Sequence, residues 1–301
     1  MTEQKSAAKW LILLLLPLLF AAVSFTIGKY SISLSQLLHT IFYHYVDPTQ
    51  IADPKMETVL FNIRLPRVLA VLMVGGGLSM AGASYQGMFK NPLVSPDILG
   101  VSAGAGFGAS LALLLSLPMA MVQVFAFCGG MLAVSLAVFV NRSMKYDPLL
   151  ALILGGILVS TLFSSGISMV KFLADADDKL PAITFWLMGS FSSVNKHDLL
   201  PLFIPMGISY VILIGLRWKL NIAAFGDEEA RSMGVNTRSV RRWVIIASTL
   251  ITASSVSICG MIGWIGLVIP HLARAVAGPN YQGLLPVCTA FGACFLLLVD
   301  V

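Results

Sequence analysis

Long apolar runs, separated by short polar segments, dominate the chain. Nine of these runs hold 17 or more residues, about the length that an α-helix needs to cross a bilayer; they cover residues 10–27, 65–88, 98–116, 119–140, 149–173, 199–216, 243–259, 261–277 and 284–301. Strands of a membrane barrel would instead alternate apolar and polar residues. The pattern therefore predicts an all-α, polytopic transmembrane helix bundle with nine spans, formed by residues 1–301 as a single domain.

A tenth apolar segment, residues 182–191 (AITFWLMGSF), is too short to cross a bilayer. As an α-helix, ten residues extend only about 15 Å. Irregular or short segments at membrane depth are tolerated where they are buried in protein or line a cavity. We therefore expect a short helix at the outer face or between the spans.

Small residues recur at four-residue spacing in two of the runs. They are Gly75, Ser79, Ala83 and Gly87 in the second run, and Gly100, Gly104 and Gly108 in the third. Lipid provides no hydrophobic drive for helix association, so transmembrane helices meet where small residues let their backbones approach. Close helix–helix contacts are expected on these faces.

Composition excludes a soluble globular domain, because 57% of the residues are hydrophobic and only 11% are charged. Soluble domains carry roughly 25% charged residues. The net charge of +5 fits basic loops on the cytoplasmic side of a membrane, so we predict contact with lipid and none with nucleic acid. If the N-terminus is cytoplasmic, twelve of the 19 basic residues fall on that side, which favours this orientation.

Ionisable residues are scarce within the apolar runs. No Ser/His/Asp arrangement, HExxH motif, intramembrane carboxylate pair or CxxC pair is visible, so we predict no catalytic residue, no metal site and no cofactor. An ion-coupled carrier would need an ionisable group inside the membrane. A secondary transporter remains the alternative to a protein whose transport is driven by a separate partner.

One dense stretch of mixed charge, residues 217–242, interrupts this pattern. It holds nine of the 33 charged residues of the chain. Its centre, residues 227–234, places acids first, then Arg231 and a glycine, which is the order that favours a short helix. The stretch is either a solvated cytoplasmic loop or a helix that docks a cytosolic partner.

Four stretches resemble, in the same order, motifs of the FecCD-type permeases of type II ATP-binding-cassette (ABC) importers. They are RLPRVLAVLMVGGGLSMAGASYQGMFKNPLVSPDILGVSAGAGFGA (64–109), FWLMGSF (185–191), GDEEARSMGVN (226–236) and GMIGWIGLVIPHLAR (260–274). The resemblance covers residues 10–301. It implies a non-catalytic permease of ten spans in a bacterial or archaeal cytoplasmic (inner) membrane. Implied partners are a second permease copy, which makes a homodimer, two cytosolic ATPases and a periplasmic or lipoprotein binding protein.

The resemblance also assigns roles to individual residues. It implies docking of the binding protein at Arg64 and Arg67, and an inner gate at Asn91 and Leu93. The segment 217–242 becomes a cytoplasmic coupling loop, whose contacts with the ATPase are expected from Gly226, Glu228, Glu229, Ala230, Arg231 and Gly234. The span 149–173 is expected to line the pathway with Ser160, Ser164 and Ser165, although these serines could equally bond their own helix backbone.

The chain departs from the family pattern at its end, LLLVDV, within the ninth span. The family continues there through an Asp-x-x-Ala-Arg motif and a tenth helix, and Asp300 resembles the start of that motif. We therefore expect a fragment or a truncated product. The family implies a metal chelate as cargo, first an iron(III)–siderophore complex, with haem, cobalamin or an oxyanion such as molybdate left open.

Overall fold

The computed structural model describes residues 2–27, 32–47, 53–143 and 148–300. Within them it contains thirteen α-helices and no strand. The helices are α1 Thr2–Thr26, α2 Leu34–Val46, α3 Pro54–Thr58, α4 Leu65–Phe89, α5 Val101–Leu114, α6 Met119–Ser143, α7 Pro148–Leu173, α8 Lys179–Met188, α9 Lys196–Ala223, α10 Asp227–Ser232, α11 Thr237–Cys259, α12 Ile265–Ala277 and α13 Tyr281–Asp300. The predicted all-α class is confirmed.

Two opposite ends of the bundle follow from the antiparallel packing of α4 and α13. Gly75 of α4 abuts Gly292 of α13, and Gly87 abuts Tyr281. The start of α4 and the end of α13 therefore share one end, which we call the Arg64 face. Lys90, at the other end of α4, lies beside the start of α10, and we call that end the α10 face.

Small residues bring several helix pairs into backbone contact, and Gly75 and Gly104 of the two predicted stripes are among them. A Cβ built on Gly104 of α5 would lie 2.4 Å from the carbonyl oxygen of Gly129 in α6. A Cβ on Gly82 of α4 would lie 1.9 Å from the carbonyl oxygen of Gly266 in α12. Neither position has room for a side chain, so van der Waals contact between backbones holds these helices together.

Six helical segments of the described chain are long and apolar enough to cross a membrane: Pro54–Phe89, Met119–Asn141, Leu149–Leu173, Lys196–Ala223, Thr237–Cys259 and Tyr281–Asp300. The other three predicted spans coincide with shorter apolar helical segments: Leu15–Thr26, which is part of α1, and the helices Val101–Leu114 and Ile265–Ala277. Two of these are short because part of the apolar run is not α-helical. A 3-10 turn, Pro96–Leu99, precedes α5, and a non-helical link at residues 260–264 precedes α12.

The 3-10 turn before α5 lies inside the bundle. A Cβ on Gly156 of α7 would lie 2.2 Å from the carbonyl oxygen of Ile98, and a Cβ on Gly266 of α12 would lie 2.7 Å from Cδ of Pro96. Val94 and Leu99 are fully buried. The link between α4 and α5 therefore re-enters the bundle, where surrounding protein can satisfy its irregular backbone.

The predicted short helix at 182–191 appears as α8, Lys179–Met188, which begins three residues earlier. Its Lys179 ammonium donates to the carbonyl oxygen of Leu114 at 2.7 Å and so caps the end of α5. Just beyond α8, the Ser190 amide donates to the carbonyl oxygen of Cys259 at the end of α11. These contacts place α8 at the Arg64 end of both helices.

Candidate functional site

Helix α10 confirms the short helix predicted from the charged stretch at 227–234. Its first turn carries Asp227, Glu228 and Glu229, and Arg231 occupies its last turn. Acids near a helix N-terminus and a base near its C-terminus both oppose the charge of the helix dipole. The order of charges therefore stabilises a six-residue helix that would otherwise be too short to persist.

The start of α10 depends on Gly226, which is buried and has a φ of 141°. Side-chain-bearing residues rarely adopt such a backbone conformation. A Cβ at Gly226 would also lie 2.3 Å from Oε2 of Glu229, whose side chain folds back over this residue. Any other residue at 226 would strain the turn that leads from α9 into α10.

Two contacts fix α10 to the bundle. The Asp227 carboxylate pairs with the Arg241 guanidinium of α11 at 2.6 Å, and the methyl group of Ala230 is fully buried. At its end, the Gly234 amide donates to the carbonyl oxygen of Arg231 and the Val235 amide to that of Ala230. These two hydrogen bonds form a Schellman motif, which ends an α-helix at a glycine. Helix α10 is therefore attached rigidly between α9 and α11.

The outward side of α10 combines charge with apolar area. Glu228, Glu229 and Arg231 are exposed. Phe225 and Met233 flank them with exposed fractions of 72% and 47%. Aromatic, methionine and arginine side chains are enriched at protein–protein contact surfaces. Within the described residues, Glu228 and Arg231 make no side-chain hydrogen bond or ion pair.

The loop at residues 90–95 holds the two predicted gate residues and is called the gate loop for that reason; it lies next to this patch. Lys90 has a positive φ and ends α4, and its Nζ lies 3.8 Å from the point where a Cβ on Gly226 would stand. The Asn91 carboxamide accepts from the Leu93 amide at 2.9 Å, and the Leu93 side chain is 77% exposed. Both predicted gate residues thus sit on the α10 face, on the loop that leads to the buried 3-10 turn.

A buried polar bridge, which the sequence did not single out, joins α4 to α12 behind the gate loop. Arg274 donates to Oε1 of Gln86 at 2.6 Å, and Nε2 of Gln86 lies 3.3 Å from the carbonyl oxygen of Leu267. Gln86 is 3% exposed, so its amide depends on these partners. In the sequence, the only sign of this bridge is that Gln86 and Arg274 each lie near the polar end of an apolar run.

The two predicted docking arginines lie at the Arg64 face, where both are partly exposed. Arg67 forms a bidentate ion pair with Asp300, with Nε–Oδ2 and Nη2–Oδ1 distances of 2.7 and 2.9 Å. Arg64 donates to the carbonyl oxygen of Phe25 in α1. The charge of Arg67 is therefore largely balanced within the chain. The ion pair with Asp300 was not predicted from the sequence.

The three candidate pathway serines are not equivalent. Ser160 packs against Gly100, whose added Cβ would lie 3.2 Å from the Ser160 Cα. Ser164 and Ser165 are exposed, and the Ser165 hydroxyl donates to the carbonyl oxygen of Thr161 in its own helix at 2.9 Å. Ser164 and Ser165 therefore belong to a small-polar strip on the open side of α7, whereas Ser160 faces the bundle.

The described ranges contain no group of three or more His, Cys, Asp or Glu residues placed to hold a metal ion. The geometry offers instead a charged contact patch, a gate loop beside it and an irregular segment inside the bundle.

Comparison with known proteins gives a consistent result. The FecCD transport family matches residues 13–301. The molybdate import system permease protein MolB of Haemophilus influenzae is 40% identical over 288 residues, covering 96% of this chain and 85% of MolB. The hemin transport system permease protein HmuU of Yersinia pestis is 34% identical over 297 residues, covering 96% of this chain and 84% of HmuU.

A solved structure agrees as well. A transporter assigned to the metal-chelate ABC type, solved in an inward-facing conformation, aligns with a TM-score of 0.85 and 38% identity over 96% of this chain and 87% of that chain. The helical architecture, the motifs and these relatives agree along nearly the whole chain. The chain belongs to the FecCD transport family and has the fold of an ABC transporter permease.

Proposed function

We propose that this protein is the permease subunit of an ATP-driven importer and that α10 is the element through which a cytosolic ATPase drives it. The observation that carries the proposal is the proximity of the Lys90 ammonium, where the gate loop begins, to Gly226, the residue before α10: a Cβ on Gly226 would lie 3.8 Å from Nζ of Lys90. The proposal places the N-terminus and the α10 face in the cytoplasm. The Arg64 face then receives cargo from a periplasmic or lipoprotein binding protein.

The proposed coupling is mechanical. An ATPase bound to Glu228, Glu229 and Arg231 displaces α10, which is held to α11 by the ion pair of Asp227 with Arg241. The displacement reaches the gate loop through Lys90 and the bundle through α9 and α11. Small shifts of packed helices can switch an interface between two discrete arrangements. ATP hydrolysis takes place on the partner, and this chain supplies no catalytic group.

Two permease copies are proposed to enclose the pathway. Helix α7 leaves one side open, with Ile157, Leu162 and Met169 exposed beside Ser164 and Ser165. A helix side of this kind can pack against an identical copy or line a passage of mixed polarity. Two copies would require two cytosolic ATPases beneath the α10 faces.

Cargo identity is proposed at the level of class. A metal chelate, first an iron(III)–siderophore complex, fits the family. Molybdate is the second candidate, favoured by the 40% identity to MolB along 96% of the chain. Uptake of radioactive iron–siderophore and of molybdate by cells that express the complete importer distinguishes them.

The decisive experiment purifies the chain from native membranes in mild detergent and identifies the proteins that accompany it. A variant in which residues 225–236 are replaced by a Gly/Ser linker serves as the control. We expect an ATP-binding-cassette subunit with the native chain and its loss with the linker. A folded chain without any ATPase would contradict the proposal and favour an ion-coupled carrier.

A further expectation concerns docking at the Arg64 face. Replacing Arg64 by glutamate should weaken binding of the cognate binding protein roughly tenfold at low ionic strength, because an attraction to carboxylates becomes a repulsion. High salt should reduce the difference between variant and wild type. The measurement is the affinity of the binding protein for the reconstituted permease at two salt concentrations.

The control for this expectation uses the ion pair of Arg67 with Asp300. Reversing Arg67 alone would place two carboxylates together, so its effect mixes docking with local repulsion. The exchange Arg67→Glu with Asp300→Arg keeps both the pair and the net charge. Equal affinity of the Arg64→Glu variant and wild type at low salt would refute the docking role of Arg64.

A further inference from the structure

A deep cleft lies between α6, α7 and α11, apart from the gate loop. Its volume is about 840 Å³. This lies within the range of roughly 300–1,000 Å³ that is typical of sites for small ligands. Its walls are mostly hydrocarbon, from Val134 and Val138 of α6, Leu152 of α7, and Ile245 and Ile246 of α11.

Three arginines of α11 line one end of this cleft. Arg238, Arg241 and Arg242 lie within one turn of each other, and on an α-helix residues three and four apart share a face. Arg241 is paired with Asp227 at 2.6 Å. Arg238 and Arg242 are exposed and, within the described residues, have no carboxylate partner. Two exposed cationic side chains therefore stand at this end of the cleft.

The depth of the cleft matches one leaflet of a bilayer. Along α11 it extends from Arg238 to Thr249, and along α6 from Asn141 to Met131. At 1.5 Å per residue, both paths are roughly 15–17 Å long. Half of a hydrocarbon core of about 30 Å is about 15 Å. With its arginines at the membrane surface on the α10 face, a cleft of this length would reach close to the middle of the membrane.

We propose that this cleft binds an anionic phospholipid of the leaflet on the α10 face. Its phosphate lies between Arg238 and Arg242, and an acyl chain lies along Val138 and Ile246. Basic pockets between transmembrane helices bind anionic headgroups by this combination of charge and apolar depth. A soluble anion would leave the apolar walls unfilled, and a soluble partner protein would not reach the middle of the membrane.

A lipid bound at this site would affect the attachment of α10 to the bundle. Arg241, between the two headgroup arginines in sequence, is the residue that holds Asp227 of α10. A phosphate at Arg238 and Arg242 removes the repulsion among three neighbouring cations on one helix face. The bound lipid therefore stabilises the start of α11 and, through it, the attachment of α10.

The test uses the full-length purified chain after removal of endogenous lipid. Phosphatidylglycerol or phosphatidylcholine with identical acyl chains is added, and retained lipid is counted by native mass spectrometry. We expect selective retention of one phosphatidylglycerol per chain. The double variant Arg238→Gln with Arg242→Gln should retain it roughly tenfold less, and the corresponding double lysine variant should keep most of it.

Two further variants separate headgroup from acyl-chain binding and local from general charge effects. Val138→Trp fills the cleft without changing the charge, and it should also reduce retention. Arg217→Gln with Lys219→Gln removes two exposed charges of α9 outside the cleft, and it should retain lipid as wild type does. Size-exclusion profiles and thermal unfolding verify that each variant is folded.

Several outcomes would overturn the proposal. Equal retention of both lipids, or unchanged retention in the double glutamine variant, would mean ordinary lipid contact. Displacement of the lipid by inorganic phosphate alone would indicate a site for a free anion. Loss of the lipid on addition of the purified ATPase would assign this surface to the partner. Full retention by Val138→Trp would exclude the cleft as the place of the acyl chain.

Discussion

The variant Gly82→Val is expected to lose most of its folded protein from the membrane. Any Cβ at this position would lie 1.9 Å from the carbonyl oxygen and 2.6 Å from the Cα of Gly266, so the obstacle is the backbone of α12 and not a flexible side chain. Overpacking of a well-packed interior typically costs about 1–3 kcal/mol, and occasionally more. A cost of about 1.4 kcal/mol already lowers an equilibrium constant tenfold.

The damage at Gly82 would extend beyond one contact. Helix α12 also carries Arg274, whose guanidinium satisfies the buried amide of Gln86 in α4. If α12 shifts away from α4, the buried Gln86 amide loses this partner, and an unsatisfied buried polar group costs a further ~1–3 kcal/mol. We therefore expect roughly tenfold or greater loss of folded protein, measured as monodisperse protein per cell in mild detergent.

The matched control is Gly207→Val in α9. Gly207 also lies within a helix, but a Cβ there would meet nothing within 4 Å. The two variants share the change of helix propensity and differ only in the space available. Similar yields of the two variants would contradict the close packing of α4 on α12 as a requirement of the fold.

Helix α10 shows why part of the structure could be predicted from the sequence. Its charges stand in the order that a helix dipole favours, and the glycines Gly226 and Gly234 mark its two ends. All of this information lies within about ten neighbouring residues. The same holds for the long apolar runs, because their length alone decides whether a helix can cross a bilayer.

The link before α12 shows where such reasoning fails. Residues 261–277 form one apolar run, yet Gly260 and Trp264 have φ values of 71° and 68°, and the helix begins only at Ile265. Hydropathy measures transfer into an apolar environment and carries no information about the backbone dihedrals inside a bundle. Surrounding helices decide where the backbone leaves the helical conformation.

Contacts between residues far apart in the sequence are the second kind of feature that could not be predicted. Arg67 and Asp300 are 233 positions apart, and Gln86 and Arg274 are 188 apart. Each residue is recognisable alone as a polar group at the end of an apolar run. The pairing follows only once α4 is known to pack antiparallel to α13 and against α12. For Arg67 this pairing changes the expected free charge at the Arg64 face.

The coupling role proposed for α10 leads to the second large expected effect. The double variant Glu229→Ala with Arg231→Ala is expected to reduce ATP-driven uptake roughly tenfold or more, because removing one partner of a charge pair that becomes buried and hydrogen-bonded in a complex costs about 2–5 kcal/mol. Both side chains are exposed, whereas Ala230 and the ion pair of Asp227 with Arg241 hold α10 to the bundle. The variant should therefore fold and reach the membrane normally.

The measurement compares uptake with ATP hydrolysis in proteoliposomes that contain the complete importer. We expect the variant to lose uptake and the stimulation of ATPase activity by the loaded binding protein. The conservative variant Glu229→Asp with Arg231→Lys preserves both charges and should recover a substantial part of the uptake. If the alanine variant transported at the wild-type rate, α10 would be a solvated helix without a coupling role, and the ATPase would drive the bundle through another contact. If instead both variants failed equally, side-chain shape and not charge would determine the fit between α10 and its partner.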